Sequence, residues 1–404
     1  MSNKKKISKK ILLIVMDGLG DEPIPELGNK TPLESAQTPH LNQLAKKGIC
    51  GLVKPYLFKN QKKPDSDISH LAIFGYDPQK YYLGRGPYEA VGIGLELQKG
   101  DIALRVNFAT VDNNFKIIDR RAGRIDDTHL LINSLKGIEI NGVKFILKKS
   151  FGHRAVLVLH SKNKKLSDKI SNGDPKKVGL KVKEILPLNK EKSARFTAQI
   201  LNEYLKKAHL ILKNHLLNKN REQQGLLPAN YLLVRGAGKM KETPSFQKKY
   251  GLRACCIAGG ALYKGIAKIL GMDLINVRGA NGFVNTNLKG KILAAMDCLK
   301  KYDFVFLHIK ATDSLAEDGN FMAKKEFIEK IDSHLRDLMK LNNALIIITA
   351  DHSTSSLLKS HCKKPVPILI FGREKDNVEE FSEKACKKGK LGILNQLEIM
   401  KKIL

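Results

Sequence analysis

Two hydrophobic regimes alternate along this chain. Residues 11–16 (ILLIVM) form an unbroken apolar run that stops at Asp17-Gly18, and Phe304 to Ile309 (FVFLHI) stops just before Lys310 and Asp313. Ala344 to Ile348 (ALIII) leads into Thr349, Ala350, Asp351 and His352, and Val366 to Phe371 closes on Gly372. Apolar runs of this length, without alternation, predict strands buried on both faces. Between them the spacing turns helical. Thr38 to Lys47 carries Leu41, Leu44 and Ala45, with Pro39 where a first helical turn tolerates it. Phe196 to Leu216 and Lys325 to Leu341 repeat apolar residues at helical intervals. Strand–helix alternation toward both ends predicts an α/β fold with a doubly wound, mostly parallel sheet.

The middle of the chain reads differently. Ile102 to Phe108, Phe145 to Lys148, Ala155 to Leu159 and Lys181 to Ile185 are short β-like stretches, with a turn signal at Asn141-Gly142. They predict a smaller α+β lobe over residues 97–189, inserted into a sheet domain made of 1–96 and 190–404. No internal repeat appears at solenoid periods.

Composition narrows the class. With 404 residues, 42% of them apolar and 27% charged, the chain is long enough for two lobes and ordinary for a folded soluble protein. Its longest apolar runs fall well short of the ~20 residues of a membrane span. The basic start MSNKKKISKK meets only six apolar residues before Asp17, so it reads as a lysine-rich tail and not as an export signal. Six cysteines without a CxxC spacing argue against a zinc knuckle and fit reduced thiols in a cytoplasm. A net charge of +31 raises the question of nucleic acid. The lysines, however, run along the whole chain, there is no Trp, and aromatics total 6%, leaving little to stack on bases. No specific nucleic-acid partner is therefore expected. Lysine enrichment is also a habit of proteins from hot environments, and a basic surface concentrates small anions.

Three of the buried runs end in an aspartate within a few residues. Ligands of open α/β sheets bind beyond the carboxyl ends of the strands, so Asp17, Asp313 and Asp351 are expected to converge there. Asp17 can hold a divalent cation with Gly18 turning the backbone beside it, although a strand-end aspartate also serves as a helix cap. In Asp65-Ser66-Asp67-Ile68-Ser69-His70 a serine beside acids suits a metal-activated nucleophile, and the same residues suit a helix N-cap before HLAIFGY. Lys310, Asp313, Glu317 and Asp318 follow the FVFLHI run; Asp313 and Glu317 lie four apart, on one face of a helical turn, or they form a solvated acidic helix start. Asp351 with His352, and His361 nine residues later, supply the mixed oxygen and nitrogen ligands that Mn, Zn or Mg take. Two metal ions about 4 Å apart, clamping an in-line phosphoryl transfer, need six or seven ligands. Asp17, Ser66, Asp313, Glu317, Asp351, His352 and His361 supply that number.

In combination these motifs resemble a known family. IVMDGLG, SDISHLAIFGYDP, RVNFATVD with DRRAGRI, the ATD segment, and TADHS followed by His361 look like the archaeal-type cofactor-independent phosphoglycerate mutases of the alkaline phosphatase superfamily. The resemblance covers nearly the whole chain. It implies an alkaline-phosphatase-like fold with an inserted lobe that closes over the substrate, and interconversion of 2- and 3-phosphoglycerate without 2,3-bisphosphoglycerate. It further implies a phosphoserine intermediate on Ser66. Asp17, Ser66, Asp351 and His352 would hold one metal ion, and Asp313 and His361 the other; Mn or Mg come first, with Co or Zn as alternatives. The substrate's phosphate and carboxylate call for cations, for which Arg120, Arg121, Arg124, Arg154, Arg235 and Lys264 are candidates, with His153 as a proton shuttle.

Two departures stand out. The family pattern Asp-x-x-Gly-His has Glu317 at its histidine position here, which gives a harder, more anionic site leaning toward Mg or Mn. Ser355 stands where proline usually follows DHST, which bears on loop rigidity. A metal-dependent phosphatase or another phosphomutase is the alternative within this chemistry; a non-enzymatic basic RNA- or anion-binding protein is the remote one. The expected partner is a small phosphorylated substrate in the cytoplasm, with no membrane and with room for a homo-oligomer.

Overall fold

The computed structural model describes residues 10–341 and 343–404, so the lysine-rich start lies, Lys10 apart, outside the described residues. The chain divides into two compact units, Met1–Tyr82 with Thr243–Leu404, and Leu83–Glu242.

The first unit is built on an eight-stranded sheet. In chain order its strands are β1 (Lys10–Met16), β2 (Gly48–Lys54), β3 (Ala254–Ile257), β4 (Asp273–Leu274), β5 (Phe304–Ile309), β6 (Ala344–Thr349), β7 (Val366–Phe371) and β8 (Gly392–Asn395), arranged β4-β3-β5-β1-β6-β7-β2-β8. All neighbours are parallel except β7, which runs antiparallel to β6 and β2. Residues 11–16 are entirely buried, as an apolar run covered on both faces requires. In β1, Met16 pairs with Ile309 of β5, and Val15 with Thr349 of β6. Continued by one or two residues, this register delivers Asp17, Lys310 and Asp351 at one level.

The second unit carries an antiparallel sheet. Ile102–Val111 lies at its centre, pairing with Arg154–His160, with Tyr231–Gly238 and, at its end, with Ile117–Asp119. Val143–Lys149 extends the sheet outward, with strict in–out alternation. The helix Lys192–Asn214 buries Ile200, Leu201, Tyr204, Leu205 and Leu212 into the same core, where Tyr204 stacks on Phe145.

Several boundaries differ from the sequence reading. The second unit is wider than 97–189, because Tyr231–Gly238 pairs with Ile102–Val111 across more than a hundred residues of chain. Lys181 to Ile185 is not a strand. Its backbone is satisfied by irregular partners: Val182 N–H donates to the Phe115 carbonyl, and Asn202 brackets Ile185 with both ends of its amide. The helix expected over Lys325 to Leu341 is Phe321–Ser333, started by the Asn320 side chain capping Ala323 N–H, and followed by a separate 3-10 turn at Arg336–Lys340. The helix expected over Phe196 to Leu216 ends at Asn214, where extended His215 starts a new helix, Leu216–Gln223.

One buried ion pair ties two loops of the first unit together. The fully buried Lys324 ammonium donates to the Gly20 carbonyl (3.1 Å), the Thr354 carbonyl (3.0 Å) and Asp21 Oδ2 (2.8 Å), and Asp21 is only 2% exposed. A buried charge left without its partner keeps its full desolvation cost. Lys324→Met is therefore expected to cost about 3–5 kcal/mol of unfolding free energy, read from guanidinium denaturation midpoints. A loss under ~1 kcal/mol would contradict the structural role given to this pair.

Candidate active site

The site forms where β1, β5 and β6 end. Asp17 leaves β1, and Gly18 turns immediately behind it with φ +64. A Cβ there would meet Thr354 Oγ1 at 2.5 Å and Asp313 Cβ at 2.7 Å, so only glycine fits. Gly18 N–H and His352 N–H donate to Asp351 Oδ1 at 3.1 and 3.0 Å. The Asp351 carboxylate is thus locked by two backbone donors.

Asp17 Oδ2 is crowded with donors: Tyr263 OH, His308 Nε2 at 3.1 Å and Lys310 Nζ at 3.3 Å. Asp17 Oδ1 and Asp351 Oδ2 have no hydrogen-bond partner among the described residues, although both are buried. Buried carboxylate oxygens left open in this way are costly unless a cation or donor meets them. His352 Nε2 stands 3.2 Å from Asp351 Oδ2, 3.8 Å from Asp17 Oδ1 and 3.1 Å from Ser66 Oγ. Ser66 opens the helix Ser66–Ile73, and its carbonyl receives a hydrogen bond from His70 Nδ1 at 2.7 Å. Nucleophile candidate and helix start are one residue here; Asp65 precedes the helix without a side-chain cap bond.

Asp313 lies in the first turn of the helix Ala311–Glu317 and pairs through Oδ2 with Lys310. Its Oδ1 accepts from Thr354 Oγ1 (2.6 Å) and faces His361 Nε2 at 3.3 Å. His361 is oriented by its Nδ1, 2.8 Å from the Pro64 carbonyl, and its ring stacks on His352 with centroids 3.8 Å apart. Glu317 ends the same helix with its side chain 48% exposed and its Oε1 3.7 Å from His361 Nε2, at the rim of the cluster. Asp17, Asp351 and His352 form one group able to hold an ion, and Asp313, His352 and His361 form another. The open oxygens fit a divalent cation, and the mixed carboxylate–imidazole donors suit Mn, Mg, Co or Zn. Ser355, at the departure from proline, is buried and donates from Oγ to Glu22 Oε2 at 2.7 Å.

The electrostatics follow from three buried aspartates in one place. Burial pushes Asp17 and Asp313 upward, but Lys310, with His308 at Asp17 and with His361 and His352 at Asp313, holds both below the usual carboxylate range. Asp351 lacks such a partner, so burial and the neighbouring Asp17 raise it well above that range. Burial lowers His352 and His308 to about 3 and His70 to about 4. His361 moves the other way, to about 9, because the Asp313 carboxylate overrides its burial.

The second unit gathers cations of its own. Arg120 forks onto Asp174 (3.1 and 2.6 Å), and Arg235 reaches the same carboxylate at 3.3 Å. Arg85 and Arg105 approach Glu89 at 3.2 and 3.6 Å, and the buried Arg105 Nε has no hydrogen-bond partner among the described residues. Arg154 opens the strand Arg154–His160 directly after His153, and Arg121 precedes the left-handed turn that contains Arg124 (φ +58). Lys264 lies on the helix Ala261–Ile269, directly after Tyr263, and its ammonium makes no hydrogen bond or ion pair among the described residues. Tyr263, His308, His70, Thr354, Arg85 and Arg105 escaped the sequence reading. A histidine inside the apolar FVFLHI run, and an arginine inside a buried strand, were the available signals.

Fold and cluster together define a mixed α/β protein with paired candidate cation groups at the ends of parallel strands. The comparisons narrow this further. A family model described as 2,3-bisphosphoglycerate-independent phosphoglycerate mutase matches residues 45–218. The 2,3-bisphosphoglycerate-independent phosphoglycerate mutase 1 of Archaeoglobus fulgidus is 47% identical over 402 residues, 96% of each chain; that of Methanocaldococcus jannaschii is 45% identical, covering 98% of this chain and 96% of the relative. The solved cofactor-independent phosphoglycerate mutase of Thermoplasma acidophilum superposes with a TM-score of 0.68 at 38% identity over 98% of both chains. A Pyrococcus horikoshii structure reaches a TM-score of 0.82 at 35% identity, over 98% of this chain and 97% of that one. The chain belongs to the 2,3-bisphosphoglycerate-independent phosphoglycerate mutases, a metal-dependent family of isomerases.

His153 gives a pH test of the second unit. Burial, then the field of Arg154, Arg121, Arg105 and Arg235, lowers it from 6.5 to about 3. The unfolded chain then binds the proton first, so its contribution to stability is complete above 6.5 and fades as pH falls toward 3. The His153 ring resonances are expected to stay unshifted between pH 8 and 5 in histidine-resolved NMR. An inflection near 6.5 would show that the arginines do not crowd this ring.

Proposed function

We propose that this chain interconverts 2- and 3-phosphoglycerate by passing the phosphoryl group through Ser66. The observation that carries this reading is Ser66 Oγ, 3.1 Å from His352 Nε2 and set at the start of a helix against both ion-holding groups. In the reading, Asp17, Ser66, Asp351 and His352 hold one divalent ion, and Asp313 and His361 hold the other, with Glu317 at the second ion's rim. Mn or Mg are the expected ions. Bound ions would favour the serine alkoxide and offset charge on the phosphoryl group.

The chain's own residues do the rest. The helix Ser66–Ile73 presents the positive end of its dipole at Ser66, which favours an anion there. His70 fixes the Ser66 carbonyl, and Asp351 is fixed in turn by Gly18 N–H and His352 N–H. Oγ attacks phosphorus, the bond to the substrate oxygen breaks, and the freed glycerate hydroxyl takes up a proton. The other hydroxyl then loses its proton and attacks the same phosphorus, which restores Ser66 and completes the isomerisation. Arg120, Arg121, Arg124, Arg154 and Arg235, with Arg85 and Arg105 now joining them, match the substrate's phosphate and carboxylate in charge and in fork geometry. His153, neutral in the ion-free field of these arginines, is the shuttle candidate for the glycerate proton, since bound anion offsets that field. The substrate is a small phosphorylated molecule; no helix among the described residues is long and apolar enough to cross a membrane.

Ser66→Ala is expected to lower mutase turnover by on the order of 10⁴-fold or more, measured with 3-phosphoglycerate in a coupled assay after metal addition. Inorganic phosphate released faster than 2-phosphoglycerate forms, in the unaltered protein, would identify a phosphatase instead. Retained turnover in the variant would remove the phosphoserine.

A further inference from the structure

Lys310 stands where the two ion-holding groups meet. Its Nζ pairs with Asp313 Oδ2, lies 3.3 Å from Asp17 Oδ2, and sits 5.9 Å from the centre of the Tyr263 ring. Each aspartate turns its other oxygen to an imidazole: Asp17 Oδ1 is 3.8 Å from His352 Nε2, and Asp313 Oδ1 is 3.3 Å from His361 Nε2. One ammonium therefore occupies the outer oxygen of both carboxylates, leaving both inner oxygens toward the histidines.

We infer that Lys310 is a resident cation that balances these aspartates in the ion-free protein and opposes the divalent ions that bind on their inner side. This rests on the two-ion reading above. The alternative role, aligning the aspartates as ligands, predicts the opposite effect on ion binding. Alignment has other supports. Tyr263 OH and His308 Nε2 still hold Asp17 Oδ2, and Thr354 Oγ1 still holds Asp313 Oδ1, when Lys310 is gone. What its removal takes away is a positive charge within a few ångströms of the incoming ions, in a buried setting where screening is weak. Lys310 thus keeps the empty carboxylates from destabilising the fold and holds ion affinity down.

The test uses Lys310→Met in the full chain, stripped with chelator and titrated with Mn(II) by calorimetry. The variant is expected to bind Mn(II) roughly tenfold more tightly than the unaltered protein. Its ion-free thermal midpoint is expected to fall, and the gap to narrow at saturating Mn(II), as linkage between folding and binding requires. Lys310→Gln, which removes the charge but keeps a donor, is expected to shift affinity the same way and decides the matter if Lys310→Met does not fold. Equal or weaker Mn(II) binding in a folded variant, with normal binding in the unaltered protein, overturns the role given to Lys310 and leaves the ion groups standing. Absence of Mn(II) binding in the unaltered protein overturns both.

Discussion

Packing three aspartates into one buried edge of a sheet is the constraint around which the first unit is organised. Asp17, Asp313 and Asp351 are each at most 1% exposed, and carboxylates so placed repel one another through a poorly screening interior. The structure answers at several levels. Gly18 lets backbone N–H groups reach Asp351, Tyr263 and His308 converge on Asp17, and Thr354 takes Asp313. Lys310 alone brings a permanent charge to two of the three. Where no cation is supplied, at Asp351, the carboxyl shifts upward instead. Nearby, Lys324 of the helix Phe321–Ser333 pairs with Asp21 and ties the loops that follow β1 and β6, so the frame around the site is itself pinned by a buried pair.

The arrangement explains why family membership and local chemistry agree. The two ion-holding groups share His352, and Ser66 touches that same ring, so nucleophile and ligands form one contiguous unit. Glu317 departs from the family's histidine and is the most exposed of the proposed ligands, placed to add charge at the rim without burying another carboxylate. In the second unit the balance is reversed. Four arginines share two carboxylates, Glu89 and Asp174, which leaves an excess of guanidinium.

Much of the fold was legible because its signals are local. An apolar run buried on both faces marks itself, and β1, β5, β6 and β7 fall within a residue of where the runs place them. The lobe boundary was not legible, since Tyr231–Gly238 joins a strand more than a hundred residues earlier. The Lys181 to Ile185 stretch failed for the converse reason: its β-like composition met only an isolated bridge from Lys181 to Lys116, and the Asn202 amide took the hydrogen bonds of Ile185. Helix Phe321–Ser333 shows that a cap such as Asn320 sets a helix start more firmly than apolar spacing does.

By itself the sequence offered the acidic and imidazole ligand candidates and the serine, and it marked the strand ends that deliver Asp17 and Asp351, because a buried run followed by Asp is a local signal. It could not decide how those side chains pair. That Lys310 bridges Asp17 and Asp313, that Tyr263 and His308 close on one oxygen of Asp17, and that Arg85 and Arg105 share Glu89 were decided only by the tertiary structure. Strand order and register bring these residues within contact distance across hundreds of positions, and distances of that kind leave no local trace in a sequence.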